Sequence, residues 1–77
     1  MADPVVVDAR GHRCPVPTLR LRRALEAAPV GGQVRLIADD PMARIDVPHF
    51  AVSAGATVIE ITDGPGEAIS FLVSKAP

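Results

Sequence analysis

One cysteine carries the reactive chemistry that this sequence offers. Cys14 lies in the stretch Gly11-His12-Arg13-Cys14-Pro15-Val16-Pro17, after a β-branched run and before a helical pattern. A thiolate is a nucleophile, and a helix N-terminus with nearby cations lowers a thiol pKa from about 8.5 into the range of about 3.5 to 7.5. We therefore predict that Cys14 lies at or just before the start of a helix and is substantially ionised at neutral pH.

The residues on both sides of Cys14 fit this position. Gly11 permits a tight or left-handed turn, and the fixed φ of Pro15 suits a first helical turn, where its missing N–H matters little. Pro17 is tolerated in the same turn, so the helix begins at either proline. The thiolate is predicted to be stabilised by the cationic side chains of Arg10 and Arg13. The backbone N–H groups of Val16 and Thr18 are predicted to donate to it.

The absence of other reactive groups narrows what this thiol does. The chain has no second cysteine, which excludes an internal dithiol cycle, and its two histidines form no evident base-and-orienter pair. A solitary thiol suits a sulfur carrier, which takes sulfur as a persulfide and gives it to a partner's cysteine. The alternatives are a buried apolar cysteine, a thiol-based redox sensor, or a non-catalytic module that binds RNA or protein.

Length and composition limit the class of protein. With 77 residues, of which 48% are hydrophobic and 22% charged, we expect one globular domain spanning residues 1–77. A net charge of -1 and only two aromatic residues argue against direct nucleic-acid binding. One unpaired cysteine, no signal-peptide pattern and no apolar run of about 20 residues predict a cytoplasmic protein without membrane contact.

Hydrophobic patterning predicts four strands and two helices. The elements in chain order are a buried strand at 5–7, a helix after Pro17, a strand at 33–38, a helix at 42–54, and strands at 57–61 and 68–74. The first helix has an apolar stripe at Leu21, Ala24, Leu25 and Ala28. The second is expected to be kinked or restarted at Pro48 and to end at Gly55.

This βαβαββ order predicts an α/β two-layer sandwich. A strand, a helix and a following strand of these lengths form a parallel crossover. The last two strands pair antiparallel through the turn Asp63-Gly64-Pro65-Gly66. The result is a mixed four-stranded sheet with two helices on one face.

Two carboxylates after the second strand have two interpretations. In the first, Asp40 caps the second helix and Asp39 is solvated beside it. In the second, both lie near Cys14, because loops that follow parallel strands meet at one sheet edge, and their charge opposes the thiolate. The acidic residues and the two histidines, His12 and His49, have no zinc-ligand spacing, so no metal site or other cofactor is predicted.

The basic residues are concentrated in the first half of the chain. Residues 1–38 contain six arginines against three acidic residues, whereas residues 39–77 contain two basic and six acidic residues. We predict that Arg13 and Arg22 contact an acidic surface on a partner protein. The alternative is a solvated helix face.

The stretch from Asp8 to Pro17, with Arg22-Arg23-Ala24-Leu25 downstream, resembles the TusA/SirA family of small sulfur-carrier proteins, which a Cys-Pro-x-Pro motif defines. Ala38-Asp39-Asp40-Pro41 and Asp46-Val47-Pro48-His49-Phe50 match the second segment of that family. His12 departs from the apolar residue of many members, and we expect it to be solvated.

The resemblance implies the same two-layer fold and a role for Cys14 as acceptor of sulfane sulfur. The expected donor is a cysteine desulfurase or a rhodanese-type protein. The expected recipient is an acceptor protein that serves tRNA thiolation, molybdenum cofactor synthesis or other sulfur metabolism. A carrier that visits several partners in turn is expected to be a monomer.

Overall fold

The computed structural model describes residues 4–13 and 16–75 of the chain. Cys14 and Pro15 lie outside the described residues. The elements are β1 (Val5–Asp8), α1 (Val16–Ala27), β2 (Gln33–Ala38), α2 (Ala43–Ser53), β3 (Thr57–Asp63) and β4 (Ile69–Ser74). The predicted βαβαββ order is confirmed.

The four strands form one mixed sheet in the order β1-β2-β4-β3. β1 pairs parallel with β2, and β4 pairs antiparallel with both β2 and β3. Since β1, β2 and β3 then run in the same direction, the loops that follow them lie at one edge of the sheet. At that edge lie the loop between β1 and α1, which we call the cysteine loop, the β2–α2 loop and the β3–β4 turn.

The core lies between the two helices and one face of the sheet. β2 and β4 alternate buried and half-buried positions, as strands with one covered face do. Leu36 and Phe71 are paired across these two strands, and both are fully buried. Because β4 lies between β2 and β3, its inward side chains form the centre of the core. The predicted two-layer sandwich is confirmed, and its core combines aliphatic side chains with the aromatic ring of Phe71.

Helix α1 buries the predicted apolar stripe. Leu21 and Leu25 are buried against the sheet, and Ala24 is half-buried. The helix begins at Val16, so Pro17 is its second residue, where the N–H that proline lacks has no partner to lose. Beyond the other end of the helix, the Lys75 ammonium donates to the Ala28 carbonyl at 2.8 Å and stabilises the helix terminus.

Helix α2 is continuous through Pro48, so the predicted restart does not occur. Pro48 has no N–H for the carbonyl of Arg44, but the helix keeps a buried row of Ala43, Val47 and Ala51 on both sides of it. Burial of this row against the rest of the core outweighs one missing hydrogen bond. Gly55, with φ of +72°, ends the helix as predicted.

The prediction that the first strand is buried is wrong. Val5 and Val6 are 55% and 60% exposed, and only Val7 is half-buried among the valines of β1. β1 pairs with β2 alone and is therefore an outer strand of the sheet, so one flank of the strand faces solvent. A β-branched run predicts a strand, but it does not distinguish an edge position from a central one.

Candidate functional site

The loop that precedes Cys14 begins as an extension of the sheet. The Ala9 N–H donates to the Ile37 carbonyl at 2.8 Å and prolongs the parallel β1–β2 pairing. The His12 N–H then donates to the Ala9 carbonyl at 3.3 Å and closes a four-residue turn. Gly11, the third residue of this turn, has φ of +83°, which L-residues rarely adopt. The sequence therefore folds tightly here because position 11 is glycine.

Asp39 connects this turn to the next loop of the sheet edge. The Gly11 N–H donates to both carboxylate oxygens of Asp39, at 3.0 and 3.1 Å. Asp39 therefore contacts the turn before Cys14, whereas its distance from the thiol lies outside the described residues. The contact forms because β1 and β2 are neighbours, and this brings their C-terminal loops together.

Asp40 acts in the turn before α2 and not on the helix itself. Its carboxylate accepts a hydrogen bond from the Met42 N–H at 3.0 Å, and its carbonyl accepts one from the Ala43 N–H at 2.9 Å. The helix N-cap is Met42, which makes no side-chain capping bond. The prediction that Asp40 caps the helix is therefore wrong by two residues, since the helix begins later than the sequence pattern indicates.

Arg10 is turned toward Asp8. Its guanidinium donates from Nε at 2.9 Å and from Nη2 at 2.7 Å to the two carboxylate oxygens of Asp8, and the Arg10 N–H also reaches that carboxylate. These hydrogen bonds lower the pKa of Asp8 to about 2 and raise the pKa of Arg10. The sequence predicts that the positive charge of Arg10 stabilises the thiolate. In the structure, the Asp8 carboxylate compensates that charge.

The two arginines predicted to contact a partner are exposed. The side chains of Arg13 and Arg22 make no hydrogen bond or ion pair with any residue in the described ranges. Arg20, in contrast, donates to the Asp8 carbonyl at 2.8 Å. Arg13 lines a cleft beside the cysteine loop, whereas Arg22 lines a separate groove between the helices with Phe50.

The cleft beside the cysteine loop is mostly acidic. Gly11, His12 and Arg13 line one side of it, and the β2–α2 loop lines another. Asp46 of α2 and Glu67 of the β3–β4 turn complete the lining, and no sequence pattern indicated this place for Glu67. The strand order was the missing information, because the β3–β4 turn reaches this edge only when β3 runs parallel to β1.

The start of α1 offers fewer free donors than the sequence suggests. The Val16 N–H donates to the Arg13 carbonyl at 3.0 Å, so one of the two predicted thiolate donors is occupied. The first turn of α1 contains no acidic residue that would offset the positive end of the helix dipole. The favourable field of the helix terminus is therefore retained next to the Cys14 position in the sequence.

Within residues 4–13 and 16–75, no group of three or more His, Cys, Asp or Glu side chains is arranged to hold a metal ion. The two helices in the described part of the chain are too short to span a bilayer.

Similarity to known proteins covers nearly the whole chain. Residues 5–75 match the family described as Sulfurtransferase TusA. The sulfur carrier protein TusA of Pseudomonas paraeruginosa is 33% identical over 78 residues, 99% of this chain and 99% of the relative. That of Pseudomonas entomophila is 31% identical over 70 residues, 91% of this chain and 88% of the relative.

A solved structure agrees with these sequence matches. The crystal structure of a SirA-like protein from Desulfitobacterium hafniense superimposes with a TM-score of 0.82 and 26% identity, covering 95% of this chain and 99% of that one. The architecture and the sequence thus lead to the same group of proteins that the cysteine stretch resembles. The chain belongs to the TusA/SirA-like family.

Proposed function

We propose that this protein is a sulfur carrier that accepts sulfane sulfur as a persulfide on Cys14 and passes it to an acceptor protein. The observation that carries the proposal is the end-to-end similarity to sulfur carrier proteins named TusA in a chain with one cysteine. In the sequence, that cysteine follows the turn at Gly11. This turn lies at the end of the sheet where the loops after β1, β2 and β3 come together. A single thiol is sufficient for this task, because each transfer uses one sulfur atom of the carrier.

The transfer proceeds by two exchanges at sulfur. In the first, the Cys14 thiolate attacks the outer sulfur of a donor persulfide. A new S–S bond forms on Cys14, the donor S–S bond breaks, and its electron pair leaves with the donor thiolate. In the second, an acceptor thiolate attacks the outer sulfur on Cys14 and releases the Cys14 thiolate. No net oxidation occurs, so neither a resolving cysteine nor a redox cofactor is required.

Two exposed arginines support contact with protein partners. Arg13 and Arg22 are exposed and have no partner among the described residues, so they are available to an acidic surface on the donor or acceptor. The donor is a cysteine desulfurase or a rhodanese-type protein. Arg10 contributes less to the thiolate than Arg13 does, because Asp8 compensates its charge.

The remaining sequence predictions fit this role. We place the carrier in the reducing cytoplasm, where its thiol stays available for exchange. The whole chain forms one domain and works as a monomer, because each partner must reach the same loop. Gly11 shapes the turn before Cys14, Pro17 lies in the first turn of α1, and the role of Pro15 in starting that helix stays a prediction from the sequence.

Mass spectrometry of the intact protein tests the proposal. The protein is incubated with a cysteine desulfurase and cysteine, and separately with a rhodanese-type persulfide donor. We expect a mass gain of one sulfur atom that dithiothreitol removes and that Cys14→Ser does not show. Oxygen adducts alone would instead indicate a redox sensor. RNA affinity without any sulfur adduct would indicate a binding module, and either result would overturn the proposal.

A further inference from the structure

The contact between Asp39 and Gly11 joins two loops that are distant in sequence. The residues are 28 positions apart, and the Gly11 N–H lies 3.0 and 3.1 Å from the two carboxylate oxygens. A hydrogen bond to a charged acceptor is about twice as strong as one between neutral groups. Gly11 is three residues before Cys14 in the sequence. The bond thus fixes the backbone just before the residue that carries sulfur.

Packing does little to hold this turn. All four residues from Arg10 to Arg13 are exposed. A Cβ added at Gly11 would meet no atom within 4 Å, so no neighbouring side chain braces the turn at that point. The turn therefore depends on its hydrogen bonds, and Asp39 supplies one from outside the loop.

Asp39 itself is well placed to act as an anchor. It follows Ala38, a fully buried residue at the end of β2, and its own side chain is partly buried. β2 is an interior strand, paired with β1 on one side and β4 on the other. The carboxylate is consequently attached to a rigid part of the sheet, whereas the turn that it holds lies on the surface.

We propose that Asp39 is a positioning residue for sulfur transfer, which holds the turn before Cys14 and so sets how the cysteine is presented to a partner protein. This inference rests on the function proposed above. Transfer between two proteins requires the attacking sulfur atom and the sulfur atom that it attacks to be held close and aligned. A misplacement of about 1 Å can slow such a reaction about 100-fold. A small alkylating reagent has no such requirement.

Three substitutions separate geometry from charge. Asp39→Ala removes the acceptor, Asp39→Asn keeps an acceptor oxygen at the same distance without charge, and Asp39→Glu keeps the charge but moves it by one methylene. The matched control is Asp46→Ala, since Asp46 lines the same cleft and its side chain bonds none of the described residues. Circular dichroism and urea unfolding first establish which variants are folded.

Three rates are then compared with those of the unsubstituted protein. They are hydrogen exchange at the Gly11 amide, sulfur transfer from a cysteine desulfurase supplied with cysteine, and alkylation of Cys14 by iodoacetamide. We expect Asp39→Ala and Asp39→Glu to slow protein-to-protein transfer about tenfold and to speed Gly11 exchange, with alkylation changed less than about twofold. Asp39→Asn should recover most of the transfer rate, and Asp46→Ala should match the unsubstituted protein.

Other outcomes overturn the inference. Unchanged transfer in Asp39→Glu, or equal losses in Asp39→Asn and Asp46→Ala, would show that only the charge of the cleft matters. Parallel losses in transfer and alkylation would show that Asp39 acts on the reactivity of the sulfur and not on its placement. If Asp39→Ala does not fold, the contrast between Asp39→Asn and Asp39→Glu still distinguishes an effect of geometry from an effect of charge. Failure of the unsubstituted protein to take sulfur would reject the proposed function itself, and the inference with it.

Discussion

At the scale of single residues, four arginines of the first half of the chain divide into two groups. Asp8 binds the Arg10 guanidinium through its carboxylate and the Arg20 guanidinium through its carbonyl. Arg13 and Arg22 have no such partner among the described residues. The second group is therefore the one available to a partner protein, while the first group stabilises the end of β1.

The pairing of Asp8 with Arg10 is open to direct titration. The hydrogen bonds from Arg10 lower the pKa of Asp8 from 3.8 to about 2, so we expect an NMR titration of its carboxyl carbon to have a midpoint near pH 2. Arg10→Met should bring the midpoint back toward 3.8, whereas Arg13→Met should leave it in place. A midpoint close to 3.8 in the unsubstituted protein would contradict the pairing.

The same shift fixes the sign of its effect on stability. Because the pKa of Asp8 is lower in the folded state, the pair stabilises the fold above about pH 4, and this contribution is lost as the pH falls toward 2. Asp8 and Arg10 are exposed, so water and salt screen the interaction. The loss should therefore be a small part of any acid unfolding.

Individual contacts of the site were only partly predictable from sequence. The left-handed turn at Gly11 and the proline in the first helical turn follow from the residue types alone. The Gly11–Asp39 bond requires knowing that β1 and β2 are neighbours, which the sequence indicates only through the βαβ pattern. The occupied Val16 N–H and the Arg10–Asp8 pair depend on local backbone geometry that residue types do not specify.

At the scale of elements, the periodicity of apolar residues located all six helices and strands. Burial of β1 was predicted wrongly because a β-branched run looks the same at the edge and in the centre of a sheet. Of the kink or restart predicted at Pro48, the restart does not occur, because the packing of the row that contains Val47 outweighs the local rule about proline. Both errors concern tertiary context, which outweighs local preference.

Two valines on α2 test whether packing holds that helix. Val47 is fully buried and Val52 is 80% exposed, so the same substitution samples both faces. We expect Val47→Ala to lower the free energy of unfolding by about 2 kcal/mol, through lost burial and a new cavity. Val52→Ala should change it by less than about 0.5 kcal/mol. Urea unfolding measures both, and equal losses would contradict the assigned helix orientation.

At the scale of the whole molecule, the strand order places three loops at one edge. The cysteine loop meets the acidic β2–α2 loop there, and the β3–β4 turn is held to α2 by the pair Arg44–Asp63. The uneven distribution of charge along the sequence thus becomes an uneven surface around the cysteine loop. Arg13 lies in the cleft, Arg22 lies on α1, and the carboxylates lie toward α2.

This distribution predicts that sulfur transfer depends on salt. Arg13→Glu and Arg22→Glu should slow transfer about tenfold at low ionic strength and much less at high ionic strength, where the field of an exposed charge extends only a few ångströms. Arg23→Glu makes the same charge change at the neighbouring exposed position and should have a smaller effect. Rates measured by stopped flow across a salt series check this. Equal slowing at all salt concentrations would rule out electrostatic recognition.

The most direct test of the carrier role is to follow one sulfur atom through the protein. Cys14 is loaded with radiolabelled persulfide, freed of donor, and mixed in a single turnover with an excess of an acceptor protein that presents a cysteine. We expect the label to leave this chain and to appear on the acceptor at the same rate, with Cys14 restored as a free thiol. Label that stays on the chain, or that loads equally well onto Cys14→Ser, would contradict it.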